Sequence, residues 1–535
     1  MCKKPLLSTS NRDLQTSFVA GATYAFNDNW SSDVYYTYGE TRDALKIGNI
    51  PNTIALKNSL DAVVDSRPGV PTTGQIICRS TITDPTNGCV PWNIFGRQPM
   101  TAAQSAYINP TDYYFTNNSQ QVLEATIKGS PFALPAGRLD IALGAGYRKE
   151  TLNEATDTLG LAGKANPYSG TVGALAYINS PAIKGALDLG EVFGEAQVPL
   201  LKDKFLAKSL ELNLAARYTD YSSSGGVTTW KAGAVWLPID SVRFRVAQSR
   251  DVRAANLVEL YSPSSTGFAS VSDPVSKTAY TIIPVASGNA SLTPEKASTT
   301  TIGVVLKPSF WPSVYASVDY FHIKIDDEIA TVSSQLTVNL CALDPTQYAT
   351  FCNRITRDSS TGLISSVRTP YSNLNIGKNE GVDVELGYVH SIDKYGLKGN
   401  FGARFFGTYQ MENSVTTPGS APVPNEELSA RTVMLGTMDY ATGPWTFGMQ
   451  EHYVSGGRFD VTVVRYPGDR ASSQVWTDLS VKRKMGKWEL YGSVINLFDK
   501  DPPNYPFVAT SSGFGSSSLF DIQGRRYNVG ARFKL

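Results

Sequence analysis

A chain of 535 residues with 48 basic and 47 acidic side chains carries a formal charge of +1, so no bulk electrostatic attraction draws it to nucleic acid. Its apolar content is 41% and its mean hydropathy −0.18, and no run approaches the ~18 apolar residues of a membrane helix, which excludes helical membrane spans. The 45 Gly, 27 Tyr and 22 Phe beside three His describe an all-β chain rich in turns and aromatic surface, a composition that a transmembrane β-barrel shares because only alternate strand residues must be apolar.

The chain opens on MCKKPLLSTSNRDLQTSFV, basic but without an apolar segment or a cleavage site, and is not read as a signal peptide. Strands are expected from near Gln15–Phe26 and Trp30–Arg42 onward. In GRLDIALGAGYRKE, Leu139, Ile141, Leu143, Ala145 and Tyr147 alternate with Asp140, Ala142, Gly144, Gly146, Arg148 and Glu150. LELNLAARYTD repeats the pattern, with Leu210, Leu212, Leu214, Ala216 and Tyr218 on one face and Glu211, Asn213 and Arg217 on the other. Val242, Phe244 and Val246 alternate with Arg243 and Arg245, and Val382, Val384, Leu386 and Tyr388 with Asp383 and Glu385. Near 318–323 the phase slips from Val318 and Tyr320 to Phe321 and Ile323, which predicts either a bulge or a strand leaving its apolar layer.

The connections decide between a soluble sandwich and a barrel. Turn-like links at 134–137, 237–240, 307–313, 391–396, 441–444 and 482–487 alternate with long ones at 43–118, 151–187, 252–294, 330–379, 411–428, 456–472 and 499–520, and only 222–226 is tight among the latter. Transmembrane barrels segregate short periplasmic turns from long outer loops in this way, whereas a sandwich has no reason to. The apolar faces are therefore expected to meet lipid and the charged, Gly-rich faces a wet lumen. Trp30, Trp236, Trp311, Trp445 and Trp488 fall at short-turn ends, where an aromatic girdle belongs. Arginine at lipid-facing Leu143 is expected to be far more damaging than arginine at lumen-facing Gly144.

Four of the five cysteines form two pairs of equal spacing in the long loops, Cys78 with Cys89 and Cys341 with Cys352, and are read as disulfides of the oxidising side; Cys2 is left over. Metal ligation fits less well, with no His near either pair and no Cys-x-x-Cys. His322, His390 and His452 are scattered, and no nucleophile elbow, phosphate loop or helical His pair points to an enzyme or a cofactor. The inward charges Arg148, Glu191, Glu195, Glu211, Arg217, Arg243 and Arg245 could bind solute or could pair across strands to line a hydrated interior; both readings stay open. KRK at 482–484 reads as a solvated turn.

Several stretches taken in order resemble the barrel of TonB-dependent outer-membrane receptors of Caulobacter- and Sphingomonas-like type. They include CRSTITDPTNGCVPWNIFG, LPAGRLDIALGAGYRKE, SRDVRAANLVELYSP, GNASLTPEKASTTTIGVVLKP, YSNLNIGKNEGVDVELGY, VINLFDKDPP and GRRYNVGARFKL. The resemblance implies a monomeric 22-strand antiparallel barrel in the Gram-negative outer membrane, plugged by an N-terminal domain. Such a barrel takes up scarce solutes (iron chelates, cobalamin or oligosaccharides) with energy passed through TonB, ExbB and ExbD. It also marks Tyr527, Val529, Ala531, Phe533 and Leu535 as the C-terminal signal read by the barrel-assembly machinery, with Leu535 where an aromatic residue is usual.

The departure is at the other end. About seventeen strands are expected and no plug or TonB box, so residues 1–535 read as a partial receptor barrel lacking the plug and the first strands. The first and last strands both run toward the short turns, which leaves them as unpaired edges or joins them imperfectly. The rival readings are a passive porin-like channel and a surface-binding barrel. The ligand and its contact residues are not legible.

Overall fold

The computed structural model describes residues 7–95, 99–156, 175, 182–417, 423–424, 430–457, 471–503, 520 and 523–534. Its main sheet contains 22 strands, five of which are short outer-loop pieces starting at Ser265, Ala269, Thr278, Ile355 and Val423; 22 less five leaves seventeen wall strands among the described residues. These are β1 (Ser8–Asn27), β2 (Trp30–Gly48), β3 (Asp112–Gly129), β4 (Asp140–Thr156), β5 (Lys184–Lys204), β6 (Ala207–Tyr221), β7 (Gly225–Ile239), β8 (Val242–Arg253) and β9 (Glu295–Leu306). They continue as β10 (Val314–Thr331), β11 (Ile364–Ser391), β12 (Asn400–Thr416), β13 (Thr432–Thr442), β14 (Trp445–Val454), β15 (Gln474–Met485), β16 (Trp488–Ile495) and β17 (Arg526–Phe533). Each pairs antiparallel with the next in the chain. The wall is thus a single meander.

Register puts the alternating apolar sets side by side. Leu143 lies opposite Ile127, Ala145 opposite Val192, Leu212 opposite Ala234, Val246 opposite Ile302, and Ile302 opposite Tyr320. This row is uncovered: Leu143 is 52% exposed and Ile302 54%. An apolar band this extensive is unstable in water and marks a surface that meets lipid. The five expected girdle tryptophans stand at the short-turn end, with Trp236 stacked on Phe244 at 5.4 Å and Trp488 against Phe533 at 4.9 Å. No described helix is long and apolar enough to cross a membrane.

The inner face is a ladder of ionic and hydroxyl pairs. In register, Arg245 faces Gly303, which faces Asp319. A Cβ on Gly303 would lie 1.8 Å from Asp319 Oδ1, so the glycine lets the Arg245 guanidinium pass over β9 and donate to Asp319 at 2.6 Å. Arg404 donates to Glu385 at 2.7 Å and Thr408 to Asp383 at 2.6 Å on the same face.

One expectation is decided between its two alternatives here and another is corrected. The phase slip is no bulge, because β10 keeps one register with β11 from Val314 to Ile325 and shifts only between Ile325 and Ile329. The strand leaves its apolar layer instead: the outward parity becomes polar at His322, whose Nδ1 is 3.4 Å from Glu380, while Phe321 turns inward over Gly381. Gly144 is not an open lumen position either. A Cβ there would meet the Phe193 ring at 2.3 Å, so any side chain must displace that ring.

The outer connections carry their own structure. Residues 254–294 and 332–363 fold together over the wall. Val271, Ile282, Val338, Ile364 and Val367 form a buried cluster, and Thr278–Ser287 runs parallel to the start of β11. Arg357 of one segment donates to Asp273 of the other at 2.7 and 3.0 Å, and Tyr280 donates to Asp273 at 2.8 Å. Arg253, at the outer end of β8, is held by Glu295 at 2.6 and 2.7 Å and by Glu259 at 3.0 and 3.1 Å. Glu259 also closes the capping box of the helix Leu257–Tyr261 with Asn256.

Candidate functional site

The inner wall holds a polar hollow of about 460 Å³ on β2–β8, running from the short-turn half of β2 and β3 to the outer half of β5–β8. Alternation sends Tyr35, Glu124, Glu191, Arg217 and Asp251 inward from successive strands, and small residues such as Gly146 keep the floor open: a Cβ there would crowd Glu191 at 3.3 Å. Arg217 lies 3.2 Å from Glu191, and its guanidinium sits 4.7 Å from the Phe193 ring. Thr219 donates to the same carboxylate at 3.5 Å, and Ser249 donates to Asp251 at 2.7 Å. Such a cluster presents both charges to a solute without an ordered metal site. Among the described residues no group of His, Cys, Asp and Glu could hold a metal ion.

Of the inward charges expected from sequence, Arg148, Glu191 and Arg217 border this hollow. Arg148 Nε is 3.3 Å from Glu150, an ion pair without an aligned hydrogen bond. Glu195 lines a second hollow of about 500 Å³ nearer the short turns, with Lys128, Asp140 and Lys231. Glu211 accepts from Gln197 at 3.0 Å, Arg245 is committed to Asp319, and Arg243 joins neither hollow. Sequence reading missed Tyr35, Glu124 and Asp251. The doublet Tyr35–Tyr36 was the available signal, since adjacent aromatics must point to opposite faces.

The outer loops add a cationic spot. Arg354 stacks over Phe351 at 5.0 Å and donates to Ser372 at 2.9 Å, while Arg368 donates to the Asn353 carbonyl at 2.7 Å. Burial, and then the charge of Arg368, hold Arg354 below the usual guanidinium range. In the same layer Cys341 and Cys352 are bridged with Cα atoms 4.9 Å apart, and Cys78 and Cys89, in the loop after β2, with Cα atoms 6.1 Å apart. Cys2 lies outside the described residues. The three histidines are apart: His390 pairs with Ser313 at 2.8 Å and His452 with Asp478 at 3.1 Å, far along the chain from His322. Tyr527, Val529, Ala531 and Phe533 stand on the outward face of β17, and Leu535 lies outside the described residues.

Residues 6–497 match the family model described as TonB dependent receptor-like, beta-barrel. The chain belongs to that family. Barrels of the family are outer-membrane proteins of Gram-negative bacteria, and its members are receptors and transporters. The fold is similar to that of the siderophore receptor PirA from Acinetobacter baumannii (14% identity, TM-score 0.59, 98% of this chain and 62% of that one). It is also similar to a ferric enterobactin receptor (PfeA) mutant from Pseudomonas aeruginosa solved with enterobactin (13%, 0.62, 97% and 62%). A third is the ferric-catecholate import receptor Fiu from E. coli K12 (12%, 0.52, 92% and 61%). This chain therefore spans about 62% of the length of the first of these. No curated protein sequence matches it.

Proposed function

We propose that the chain forms the wall and outer loops of a TonB-dependent receptor that takes up an anionic iron chelate. The observation that carries this reading is a family barrel whose inner wall holds a polar hollow and whose outer loops bear the Arg354–Arg368 pair. Two neighbouring guanidiniums without a carboxylate partner among the described contacts favour a ligand that brings negative charge. The similar solved receptors are named for siderophores, enterobactin and ferric catecholates, which supports an iron chelate ahead of cobalamin or an oligosaccharide.

The wider partnership is part of the same proposal. Residues 1–535 are the receptor's partial barrel, Tyr527, Val529, Ala531, Phe533 and Leu535 are its assembly signal, and the two cysteine pairs are loop-closing disulfides. Energy comes from TonB, ExbB and ExbD. The experiment is ligand binding to the refolded chain, followed by tryptophan quenching. A ferric catecholate is expected to bind, and Arg354→Ala with Arg368→Ala to weaken it at least ten-fold. Binding of cobalamin or a neutral oligosaccharide in its place would overturn the choice of ligand.

A further inference from the structure

The outward face of the last six strands is not flat. It encloses an almost wholly apolar groove of about 600 Å³. Register sets Met438, Met449, Leu479, Val494 and Tyr527 in one row across β13–β17. In the next row toward the short turns, Val481 faces Gly492, where a Cβ would have only two neighbours, the closer at 3.7 Å. The missing side chain leaves the groove open between the rows.

At the short-turn end the apolar lining gives way to cations on the same face. Arg483 follows Val481 by two residues, about 7 Å along the strand. Its guanidinium lies 4.9 Å from the Trp445 ring, and Lys487 Nζ lies 6.0 Å from the Phe533 ring. Neither makes an ion pair with a described residue. The nearby Glu489 points to the inner face, where it is 3.6 Å from Arg532. The outward positions of these strands beside the rim (Tyr440, Thr442, Leu490 and Ala531) bear no carboxylate. A cation on the lipid face is tolerated near the interface but gains nothing there unless an anion meets it.

We propose that this groove seats one anionic glycerophospholipid of the periplasmic leaflet, with its phosphate between Arg483 and Lys487 and an acyl chain over Gly492. The proposal rests on the outward face meeting lipid and is independent of which solute is transported. Charge decides the lipid class. A zwitterionic headgroup would bring its own cation to a rim that already carries two, whereas phosphatidylglycerol brings only the phosphate's charge. Trp445 and Trp488, at 37% and 51% exposure, flank the rim as interfacial anchors.

The test is native mass spectrometry of the full chain, refolded in detergent and titrated with phosphatidylglycerol or phosphatidylcholine. Saturable retention of one phosphatidylglycerol, at least ten-fold above phosphatidylcholine, is expected. Arg483→Glu with Lys487→Glu should lower it ten-fold or more, and Gly492→Leu should lower it by filling the groove. Arg483→Lys should largely retain it, which separates lost charge from lost folding. Lys394→Glu, at another short turn, should leave it unchanged. Equal retention of both lipids, or equal loss with Lys394→Glu, overturns the proposal. A dimer whose contact buries Tyr527 and Met449 would overturn it in favour of a second copy of this chain.

Discussion

Single positions on the wall are governed by which face they occupy. Leu143, outward and half-exposed, should tolerate arginine badly: Leu143→Arg is expected to destabilise by ~2–4 kcal/mol if it lies near the bilayer midplane. Its neighbour Ala142 borders the second inner hollow opposite Glu195, so Ala142→Arg is the proper inward control, Gly144 being filled by Phe193. A refolding titration in detergent micelles measures both, and equal effects would mean that the faces are reversed. Gly303→Ala is a sharper test of the inner ladder. It should cost about 1–3 kcal/mol by overpacking, because the new methyl takes the space of the Arg245–Asp319 hydrogen bonds. If Gly303→Ala refolds like the parent chain, that crossing is not formed.

The outer layer responds to pH through carboxylates at its turns. Arg357 holds Asp273 well below the usual carboxylate range, and hydrogen bonds from Ser360 and Thr361 lower Asp358 to about 2. A depressed folded-state value means that the unfolded chain takes up protons first as pH falls. Their stabilising contribution is therefore complete above pH ~3.9, the unfolded carboxylate value, and is lost progressively below it. Limited proteolysis of residues 254–294 and 332–363 should show protection that is flat from pH 7 to 5 and falls away below 4. Loss of protection near pH 6 would point to a histidine instead.

At the scale of elements, the disulfides matter most where hydrophobic packing is thin. The Cys341–Cys352 bridge ties the helix Ser334–Leu343 to Ala349–Cys352, against a small cluster of Val332, Leu340 and Phe351. Replacing both cysteines with serine should cost the loop about 2–3 kcal/mol on the loop-entropy model and open it to protease, without changing the wall. Peptide mapping without reductant checks the pairing, and free thiols at both positions would refute it. The strands themselves are robust to such loop changes, since each is hydrogen-bonded along its length to chain neighbours.

For the whole molecule the decisive feature is what the meander leaves unpaired. Among the described residues β1 pairs only with β2, and β17 only with β16. Both run toward the short turns, so joining them directly would make a parallel pair in an otherwise antiparallel wall. Unsatisfied backbone groups in lipid cost several kcal/mol each, and an exposed strand edge recruits other chains. Residues 1–535 expressed behind a signal peptide in a receptor-deficient strain are expected to aggregate or be degraded. They should give no TonB-dependent growth on a ferric chelate. Growth would overturn the partial-barrel proposal, and growth only when a plug-bearing N-terminal region is added would support it.

The sequence by itself determined the wall. Period-two alternation in stretches such as Leu139–Tyr147 and Leu210–Tyr218, with connections sorted by length, suffices for strand number, direction and outward face, because all three follow from local chemistry repeated along the chain. Equal spacing within the outer loops likewise singled out the two cysteine pairs. Only the tertiary structure decided which inward residues meet. Arg245 reaches Asp319 across Gly303, Phe193 fills the space above Gly144, and Tyr35, Glu124 and Asp251 join Arg217 around one hollow. The same holds for the outer layer, where Asp273 and Arg357 stand 84 residues apart in sequence. These neighbours are set by register across strands and by loops folding on one another, and such long-range pairings leave no periodic trace in the chain.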